Sequence, residues 1–382
     1  MTKENYFLET LHNNGVSFFV GVPDSTLSGL TALLDDLPST RHIIAANEGG
    51  AVGLALGYNL ATGKCPAIYM QNSGLGNAIN PLVSLSSKEV CSLASLLIIG
   101  WRGHAPEQDE PQHRLQGKIT PKILQALDIP YRVIGPNHLD WEAACAAMVS
   151  RALNDRRPCA LLVEPATFTT ASARGESSVK IKREAAIASL LSRLPNDTSF
   201  ISTTGKTSRE IFELRKSTGS HHDKDFLCVG GMGHANQIAA GVAIFSKAPV
   251  CCIDGDGALL MHMGGMAIIS TLAPKNLIHC VINNGVHESV GAQPIGGKIP
   301  SFCALSEALG YATSSVAESE QDIEDWSKTL AKLDGPHFLE ILCEAGSRPD
   351  LGRPTIQPDV NARRFALNLQ AVQETEIEQL VG

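Results

Sequence analysis

Two apolar runs separated by one helix-length segment constrain the fold of this chain more than any other feature. Val250 to Ile253 and Asn276 to Ile282 have the composition of buried strands, and Ala258 to Leu272 between them has that of a helix. Strands that alternate with helices in this way are typical of βαβ units in a mainly parallel sheet. The segment therefore predicts an α/β fold.

Polar residues stand at the carboxyl ends of both runs. Gly255-Asp256-Gly257 follows the first run, and Asn283-Asn284 follows the second. Because the ends of parallel strands lie at one edge of a sheet, Asp256 and Asn284 can meet there if the two strands are neighbours. Mg²⁺ prefers such oxygen ligands, and the glycines let a diphosphate approach the helix N-terminus. Each turn alone is common, but the pair is typical of thiamine diphosphate binding.

The same alternation of strand-like and helix-like segments extends along the whole chain. Further strand-like runs are Val16 to Val20, His42 to Ala46, Leu96 to Gly100, Ser199 to Ser202 and His337 to Cys343. Residues 169–183 are rich in Ser, Thr, Ala, Arg and Lys without apolar periodicity, which is typical of a linker. Because 382 residues exceed the usual size of one domain, we predict two α/β domains with mainly parallel sheets, 1–168 and 184–382, joined by 169–183.

Composition and charge argue against several classes of protein. The formal net charge of −8, without a strong basic run, offers little for the counterion release that drives nucleic-acid binding. No apolar run approaches the ~20 residues that span a bilayer, and no signal-peptide pattern opens the chain. The 10 cysteines form no Cys-x-x-Cys pair, so we expect them to be buried, reduced and structural. These observations predict a cytoplasmic enzyme that binds neither nucleic acid nor membrane.

Two other phosphate-binding motifs can be tested against the sequence. Gly205-Lys206-Thr207 looks like the end of a P-loop, but the upstream position that requires glycine holds Phe200. Gly231-Met232-Gly233 and Gly255-Asp256-Gly257 begin like a dinucleotide fingerprint, yet neither has the third glycine. A nicotinamide-dependent oxidoreductase is therefore the weaker alternative, and a non-catalytic nucleotide-binding or regulatory subunit is another.

A carboxylate in the first domain supports thiamine diphosphate binding. Activation of this cofactor requires a carboxylate that hydrogen-bonds N1′ of its aminopyrimidine. Glu48 stands where the run His42 to Ala46 passes into a helix, and Gly53 and Gly57 in that helix permit close packing. An isolated glutamate there more often only complements the helix dipole. In combination with the second-domain motif, Glu48 is predicted to be catalytic.

Seven short segments, taken in order, carry a resemblance to a known family. They are Gly21-Val-Pro-Asp-Ser25, Ala46-Asn-Glu48-Gly, Asn72-Ser-Gly-Leu-Gly-Asn77, Asp109-Glu-Pro-Gln-His113, Thr204-Gly-Lys-Thr-Ser-Arg209, Gly231-Met-Gly-His234 and His287-Glu-Ser-Val-Gly-Ala-Gln-Pro294. In order and spacing they resemble the phosphonopyruvate decarboxylases of the thiamine diphosphate-dependent decarboxylase superfamily, to which the sulfopyruvate decarboxylases are closely similar. The resemblance implies two thiamine diphosphate-binding domains, a pyrimidine-binding one and a diphosphate-binding one, without the third, central domain of the larger pyruvate decarboxylases.

The resemblance also implies roles for individual residues. It makes Glu48 the activator of the cofactor, and it makes Asp256, Asn284 and the main-chain oxygen of Val286 the ligands of Mg²⁺. Met232 takes the place of the bulky residue that bends the cofactor, although packing in the core is the ordinary role of a methionine. The other expected cofactor contacts are Thr203, Thr204, Gly205, Gly230, Gly255, Gly257 and Ala258.

The resemblance favours 3-phosphonopyruvate as substrate, converted to 2-phosphonoacetaldehyde and CO₂ in phosphonate biosynthesis, with sulfopyruvate or another short 2-oxo acid as the alternative. The enzyme must orient the substrate and exchange protons with it. The candidates for these roles are Asp24, Ser25, Asn72, His287 and Glu288. A phosphonate favours charge-assisted donors, and the candidates are Lys206, Arg209, Arg348 and Arg353, although a surface salt bridge is the commoner role of such residues.

Two further expectations follow from the resemblance. Active sites in this superfamily are shared between chains, which implies at least a homodimer. The loop Arg102 to Asp109 departs from the family pattern, because His104 stands where an acidic residue is expected. The departure weakens any role for this loop but affects no expected cofactor residue.

Overall fold

The computed structural model divides into two compact units of alternating strands and helices. It describes residues 2–104, 109–137, 140–170, 181–297, 299–330 and 332–381, with only the backbone of 372–381. The first unit comprises Met1–Arg174 and Ser289–Gly297, and the second comprises Gly175–Glu288 and Lys298–Gly382. Residues 171–180 of the predicted linker lie outside the described residues. The predicted domain limits therefore stay a prediction.

A six-stranded sheet organises the first half of the chain. Its strands are β1 (Phe19–Gly21), β2 (His42–Ile44), β3 (Ala67–Gln71), β4 (Ser95–Gly100), β5 (Tyr131–Ile134) and β6 (Pro158–Val163). They lie in the order β2-β1-β3-β4-β6-β5, and neighbouring strands are parallel. The helices are α1 (Lys3–Asn13), α2 (Ser28–Leu34), α3 (Glu48–Thr62), α4 (Leu75–Pro81), α5 (Pro111–Ala126) and α6 (Trp141–Asp155).

A second parallel sheet organises the other half. Its elements begin with α7 (Arg183–Arg193), β7 (Ser199–Ser202), α8 (Lys206–Ser217), β8 (Asp225–Leu227), α9 (Ala235–Phe245), β9 (Val250–Gly255), α10 (Asp256–Met261), α11 (Gly264–Leu272) and β10 (Leu277–Asn283). They continue with β11 (Val286–His287), β12 (Gln293–Pro294), α12 (Phe302–Leu309), β13 (Thr313–Ala317), α13 (Glu320–Leu330), β14 (His337–Leu342) and α14 (Pro358–Val381). The six strands of the sheet lie in the order β13-β14-β10-β9-β7-β8, and neighbours are again parallel. The predicted fold class is confirmed.

The central strands of both sheets are buried on both faces. In β4, Leu96 and Ile98 belong to one apolar cluster, and Leu97 and Ile99 belong to another. Successive side chains of a strand point to opposite faces, so each cluster covers one side of the sheet. This two-sided burial explains why the central strands β4 and β6 are almost continuous apolar runs without polar alternation.

The register of the second sheet sets the position of its polar loops. Strand β9 pairs with β10, where Gly255 lies opposite Ile282, and it also pairs with β7, where Ile253 lies opposite Ser202. The three strands are neighbours and parallel, so their carboxyl ends reach the same edge. This arrangement meets the condition on which the predicted meeting of Asp256 and Asn284 depended.

Three expectations about local structure were wrong. The predicted helix Ala258 to Leu272 is two helices, because the backbone of His262 leaves the helical region (φ −133°, ψ 47°) before α11 begins. Among the described residues nothing lies within 4 Å of a Cβ on Gly53 or Gly57, so these glycines do not serve close packing within the chain. All 10 cysteines are free, but Cys91 is exposed and not buried.

In the described part of the chain, none of the helices has the length and apolar character needed to cross a membrane.

Candidate active site

Asp256 is held by backbone donors at the edge of the second sheet. It follows β9 as the first residue of α10 and is buried. Its Oδ2 accepts hydrogen bonds from the backbone N–H groups of Asn284 (3.0 Å) and Gly285 (2.6 Å), and its Oδ1 accepts one from Gly257 (2.6 Å). The carboxylate therefore joins the loops that follow β9 and β10, as the strand order requires.

The negative charge of Asp256 has no cationic partner in the described part of the chain. Burial raises the pKa of this carboxyl to about 6, although the three backbone donors oppose the shift. None of the described Lys, Arg or His side chains forms an ion pair with it. A buried carboxylate without a counter-charge is a suitable ligand for a hard divalent cation.

Asn284 lies beside Asp256 with its amide group oriented. Its Nδ2 donates to Oε2 of Glu288 (3.0 Å), and its Oδ1 accepts from the backbone N–H of Val286 (3.2 Å). Gly285, which lies between Asn284 and Val286 in the chain, has a φ of +73°, a conformation that favours glycine. Asp256, Asn284 and the main chain at Val286 thus come together at one compact turn.

A second loop at the same edge has the form of an anion cradle. Thr203 and Thr204 follow β7, and Gly205 precedes α8 with a φ of +94°, which favours glycine. Backbone N–H groups at a helix N-terminus attract anions. The loop Gly231 to Gly233 also has positive φ at both glycines, and a Cβ on Gly233 would lie 2.6 Å from Cδ2 of His262.

Glu48 is the first residue of α3 in the first unit. Asn47 caps this helix by accepting a hydrogen bond from the backbone N–H of Gly50 (2.8 Å), which fixes where the helix begins. The carboxylate of Glu48 is buried, and its Oε2 accepts from Nδ2 of Asn77 (2.9 Å). Burial raises its pKa above the ordinary value, and the bond from Asn77 opposes this shift.

Known proteins match both units. The N-terminal thiamine pyrophosphate-binding domain of the thiamine pyrophosphate enzymes matches residues 1–124, and the C-terminal one matches 203–341. A phosphonopyruvate decarboxylase of Streptomyces viridochromogenes is 36% identical, with 92% of this chain and 91% of that protein covered. A phosphonopyruvate decarboxylase of Streptomyces hygroscopicus is 34% identical, with 96% of this chain and 93% of that protein covered.

This chain belongs to the phosphonopyruvate decarboxylase family of thiamine pyrophosphate enzymes. A sulfopyruvate decarboxylase of Methanosarcina acetivorans is a more distant relative, 25% identical over 95% of this chain and 96% of that protein. The predicted resemblance is confirmed. Thiamine pyrophosphate is the same molecule as thiamine diphosphate, so the predicted cofactor is confirmed with it.

The donors in the second unit fit the diphosphate and metal that this family uses. A hard cation takes oxygen ligands, and the turn of Asp256 and Asn284 offers oxygens beside glycine-containing loops. Another group of candidate ligands, Cys252, Asp254 and His279, is fully buried between the strands and α9. It supplies sulfur and nitrogen, and Asp254 already accepts hydrogen bonds from Asn236 and Gly255. This second group is therefore unsuited to Mg²⁺.

Asp24, Ser25 and Asn72 lie in one hydrogen-bonded region of the first unit. Asp24 is fully buried and accepts from Nε2 of Gln71 (2.6 Å), and burial raises its pKa. Ser25 accepts from Nη1 of Arg102 (2.9 Å). Asn72 has a structural role. Its Nδ2 donates to the carbonyl of Arg102, and its Oδ1 accepts from the backbone N–H of the same residue.

Arg102 holds the loop that departs from the family pattern. It makes two hydrogen bonds to Asp109. Burial acts to raise the pKa of Asp109, but this guanidinium and a backbone bond outweigh it and lower the pKa below its ordinary value. His104 packs against Trp101 with ring centroids 3.9 Å apart and lies 3.2 Å from Oε1 of Glu164. Residues 105–108 lie outside the described residues. The histidine therefore has a packing role that an acidic residue could not fill.

The four basic candidates for the substrate differ in their surroundings. Lys206 opens α8 directly after the anion cradle, and burial, followed by the charges of Arg209 and Arg183, lowers its pKa. Arg348 instead contacts three carboxylates, those of Glu184, Glu213 and Asp350, at 2.6 to 3.0 Å. These contacts favour a structural role for Arg348. Arg353 is exposed.

His287 and Glu288 follow the turn formed by Asn284, Gly285 and Val286. Burial lowers the pKa of the His287 imidazole to about 4, so the ring is neutral near pH 7. The carboxylate of Glu288 is occupied by Asn284 and by the backbone N–H of Gly346 (2.8 Å). The roles of both residues in proton transfer stay predictions.

Four residues around the candidate site were not predicted from the sequence: Gln71, Gly74, Asn77 and Arg183. Gly74 and Asn77 lie in the segment Asn72 to Asn77, which resembles the family, so the resemblance was a signal from which they could have been found. Arg183 forms a buried, two-fold hydrogen-bonded pair with Glu210. No feature of the sequence connects those two residues, because a salt bridge across two helices leaves no local pattern.

Proposed function

We propose that this chain uses thiamine diphosphate and Mg²⁺ to decarboxylate 3-phosphonopyruvate to 2-phosphonoacetaldehyde and CO₂. The bond between the carboxylate and the keto carbon breaks, CO₂ leaves, and one proton is taken up to complete the aldehyde. When bound, thiamine diphosphate accepts the electron pair that this cleavage releases. The protein supplies binding, orientation and proton transfer.

The observation that carries the proposal is the state of Asp256. Its carboxylate is buried, fixed by three backbone donors and without a cationic partner among the described residues. Mg²⁺ there, with Asn284 and the carbonyl of Val286 as further ligands, neutralises the buried charge and leaves room for diphosphate oxygens and water. The loops Thr203 to Gly205 and Gly255 to Ala258 receive the diphosphate, and Gly230 and Met232 contact the rest of the cofactor.

Glu48 acts on the aminopyrimidine ring of the cofactor. A buried carboxyl with a raised pKa is a suitable partner for a ring nitrogen, because it can share a proton without a full charge separation. Asn77 holds one carboxylate oxygen and leaves the other for the cofactor. We assign activation of the aminopyrimidine to Glu48, and retain Asp24, Ser25 and His287 as candidates that face substrate.

The choice of substrate rests on the two relatives named phosphonopyruvate decarboxylase, which are more similar to this chain than the sulfopyruvate decarboxylase is. Sulfopyruvate differs by a sulfonate in place of the phosphonate, so similar donors serve both. Lys206, with Arg209 nearby, is our choice for the acid group. The phosphonate would then be processed further in phosphonate, including antibiotic, biosynthesis.

We further propose a homodimer or higher oligomer with sites shared between chains, working in the cytoplasm. The face of α3 with Gly53, Leu54, Gly57 and Leu60 is exposed, and this favours a partner chain at the helix that begins with Glu48. Ten free cysteines suit a reducing compartment.

The test is CO₂ and aldehyde release from 3-phosphonopyruvate, sulfopyruvate and pyruvate, each with thiamine diphosphate and Mg²⁺. We expect the largest kcat/KM for 3-phosphonopyruvate, no turnover after chelation of Mg²⁺, and loss of cofactor binding in Asp256→Ala. A preference for sulfopyruvate would replace the substrate and keep the reaction class. Hydride transfer to NAD without CO₂ would overturn the proposal.

A further inference from the structure

The carboxylate of Glu288 determines which way the amide of Asn284 faces. Nδ2 of Asn284 lies 3.0 Å from Oε2 of Glu288. An ionised carboxylate only accepts hydrogen bonds, so the NH₂ group must face Glu288 and the amide oxygen must face away from it. On that other side Oδ1 accepts from the backbone N–H of Val286 and retains a second lone pair.

Glu288 is itself anchored from two directions. Its Oε2 accepts a hydrogen bond from the backbone N–H of Gly346 (2.8 Å), and Nη1 of Arg183 lies 3.6 Å from the same oxygen. The carboxylate thus contacts Asn284, Gly346 and Arg183 at once. This is the environment of a fixed group more than of one that moves to deliver protons.

Arg183 is fixed in turn by Glu210. Its Nε and Nη2 donate to the two carboxylate oxygens of Glu210 at 2.6 and 2.7 Å, and both side chains are buried. A two-fold hydrogen bond of this kind fixes the plane of the guanidinium. The third nitrogen, Nη1, is therefore directed at Glu288. Separation of Arg183 from Glu210 would leave an uncompensated buried charge, which is strongly destabilising. The pair therefore keeps the guanidinium of Arg183 in place.

We propose that Glu288 is a positioning residue: with Arg183 and Glu210 behind it, it fixes the amide of Asn284 so that Oδ1 faces the cation. The inference rests on the proposed function for the identity of the cation and the cofactor. Glu288 was one of several candidates for proton exchange with the substrate, and this inference gives it a different role. A group that hydrogen-bonds a metal ligand typically contributes roughly 10-fold to 100-fold to metal affinity or activity.

The experiment is a calorimetric titration of Mg²⁺ into the full-length protein at a fixed, saturating concentration of thiamine diphosphate. In Glu288→Gln the oxygen that faces Asn284, Gly346 and Arg183 becomes a neutral amide oxygen, so the bond that orients the NH₂ of Asn284 loses its charge assistance and is weakened. We expect the apparent dissociation constant for Mg²⁺ to rise by about 10-fold to 100-fold. Turnover should be recovered at high Mg²⁺, because the reacting groups are unchanged.

Two further variants separate orientation from general damage. The double variant Asn284→Asp with Glu288→Gln reverses the bond, since the Gln amide donates to the Asp carboxylate, and it conserves net charge. It should regain most of the Mg²⁺ affinity that Glu288→Gln loses. Glu344 lies two residues before Gly346, and its side chain makes no hydrogen bond or ion pair with the described residues. Glu344→Gln should bind Mg²⁺ as the wild type does.

The outcomes distinguish this inference from the proposed function. Equal Mg²⁺ affinity of Glu288→Gln and the wild type, with kcat reduced at every Mg²⁺ concentration, would show a proton-transfer role and overturn the inference. A wild type that binds cofactor and Mg²⁺ but releases no CO₂ from any of the 2-oxo acids would overturn the function alone. If Glu288→Gln does not fold, Glu288→Asp keeps the charge beside Arg183 but shortens the reach to Asn284, and the same loss of affinity is expected.

Discussion

Gly74 lies directly against the carboxylate of Glu48, so closely that a Cβ at position 74 would be 2.5 Å from Cδ of the glutamate and closer still to its Oε1. Gly74 ends the short helical turn Asn72–Gly74 after β3, and Asn77 on the next turn donates to Oε2 of the same carboxylate. One segment therefore supplies both the space for Glu48 and the donor that holds it.

Gly74→Ala should reduce turnover while the protein stays folded. The added methyl group overlaps the end of a flexible side chain, so the carboxylate of Glu48 moves and the fold does not have to. A misplacement of about 1 Å in a catalytic group can cost roughly 100-fold in rate, and we expect a loss of kcat of that order. The assay is steady-state CO₂ release together with the melting temperature.

Gly76 offers the matched control. It lies in α4 two residues further on, and nothing among the described residues is within 4 Å of a Cβ there. Gly76→Ala should keep full activity and, because alanine favours a helix more than glycine does, equal or higher stability. Loss of activity in both variants would attribute the effect to the segment in general and not to the contact with Glu48.

Glu48→Gln should stabilise the protein while it abolishes most turnover. Burial raises the pKa of Glu48 in the folded state above its ordinary value of 4.5. The folded state therefore binds this proton more tightly than the unfolded state, and ionised Glu48 opposes folding at higher pH. The amide that replaces the carboxylate in this variant carries no charge, and its oxygen can still accept the hydrogen bond from Asn77.

The sign of this effect defines the measurement. Below pH 4.5 the carboxyl is protonated in both states and the variant gains nothing from the lost charge. As the pH rises through the folded-state pKa, the melting temperature of Glu48→Gln should increasingly exceed that of the wild type. A wild type that is the more stable of the two at about pH 7 would contradict the raised pKa.

Much of the fold was predictable because its signals are local. The predicted strand Ser199 to Ser202 coincides with β7. The run Val250 to Ile253 lies within β9, since a strand buried on both faces leaves a continuous apolar run. The break between α10 and α11 was missed. The apolar composition of α10 continues past His262 into α11. The backbone turn at His262, before Gly264 and Gly265, therefore causes no change in the hydrophobic pattern of the sequence.

The candidate site was predictable in part for the same reason. Asp256 and Asn284 could be paired from sequence because both follow strands of one βαβ unit, and β9 and β10 are indeed neighbours. The anchor of Glu288 could not be found in this way. Arg183, Glu210 and Gly346 lie on separate elements, and only the packed structure brings them together.

Lys206 and Arg348 should respond differently when each is replaced by methionine. Lys206 follows the anion cradle, so Lys206→Met should raise KM for 3-phosphonopyruvate by about 10-fold to 100-fold more than KM for pyruvate, as expected for a lost charge-assisted hydrogen bond. Arg348 is surrounded by Glu184, Glu213 and Asp350. Arg348→Met should therefore change KM for the two substrates equally. A selective effect in Arg348→Met alone would exchange the two roles.

The last prediction concerns the number of chains that build one site. Glu48 belongs to the first compact unit and Asp256 to the second. If each site takes Glu48 from one chain and Asp256 from another, a dimer of Glu48→Ala with Asp256→Ala collects both lesions in one site and none in the other, because two-fold symmetry exchanges the two contributions. Two inactive proteins should then give an active hybrid.

The hybrid is isolated by co-expressing the two variants with different affinity tags and purifying on both. One intact site in two predicts roughly half of the wild-type activity per dimer, or roughly a quarter in an unsorted mixture with random pairing. If each site were built within one chain, every site of the hybrid would carry one lesion. A doubly purified hybrid that assembles but is as inactive as its parents would therefore refute the shared site, and mixing the two proteins after purification controls for exchange of chains.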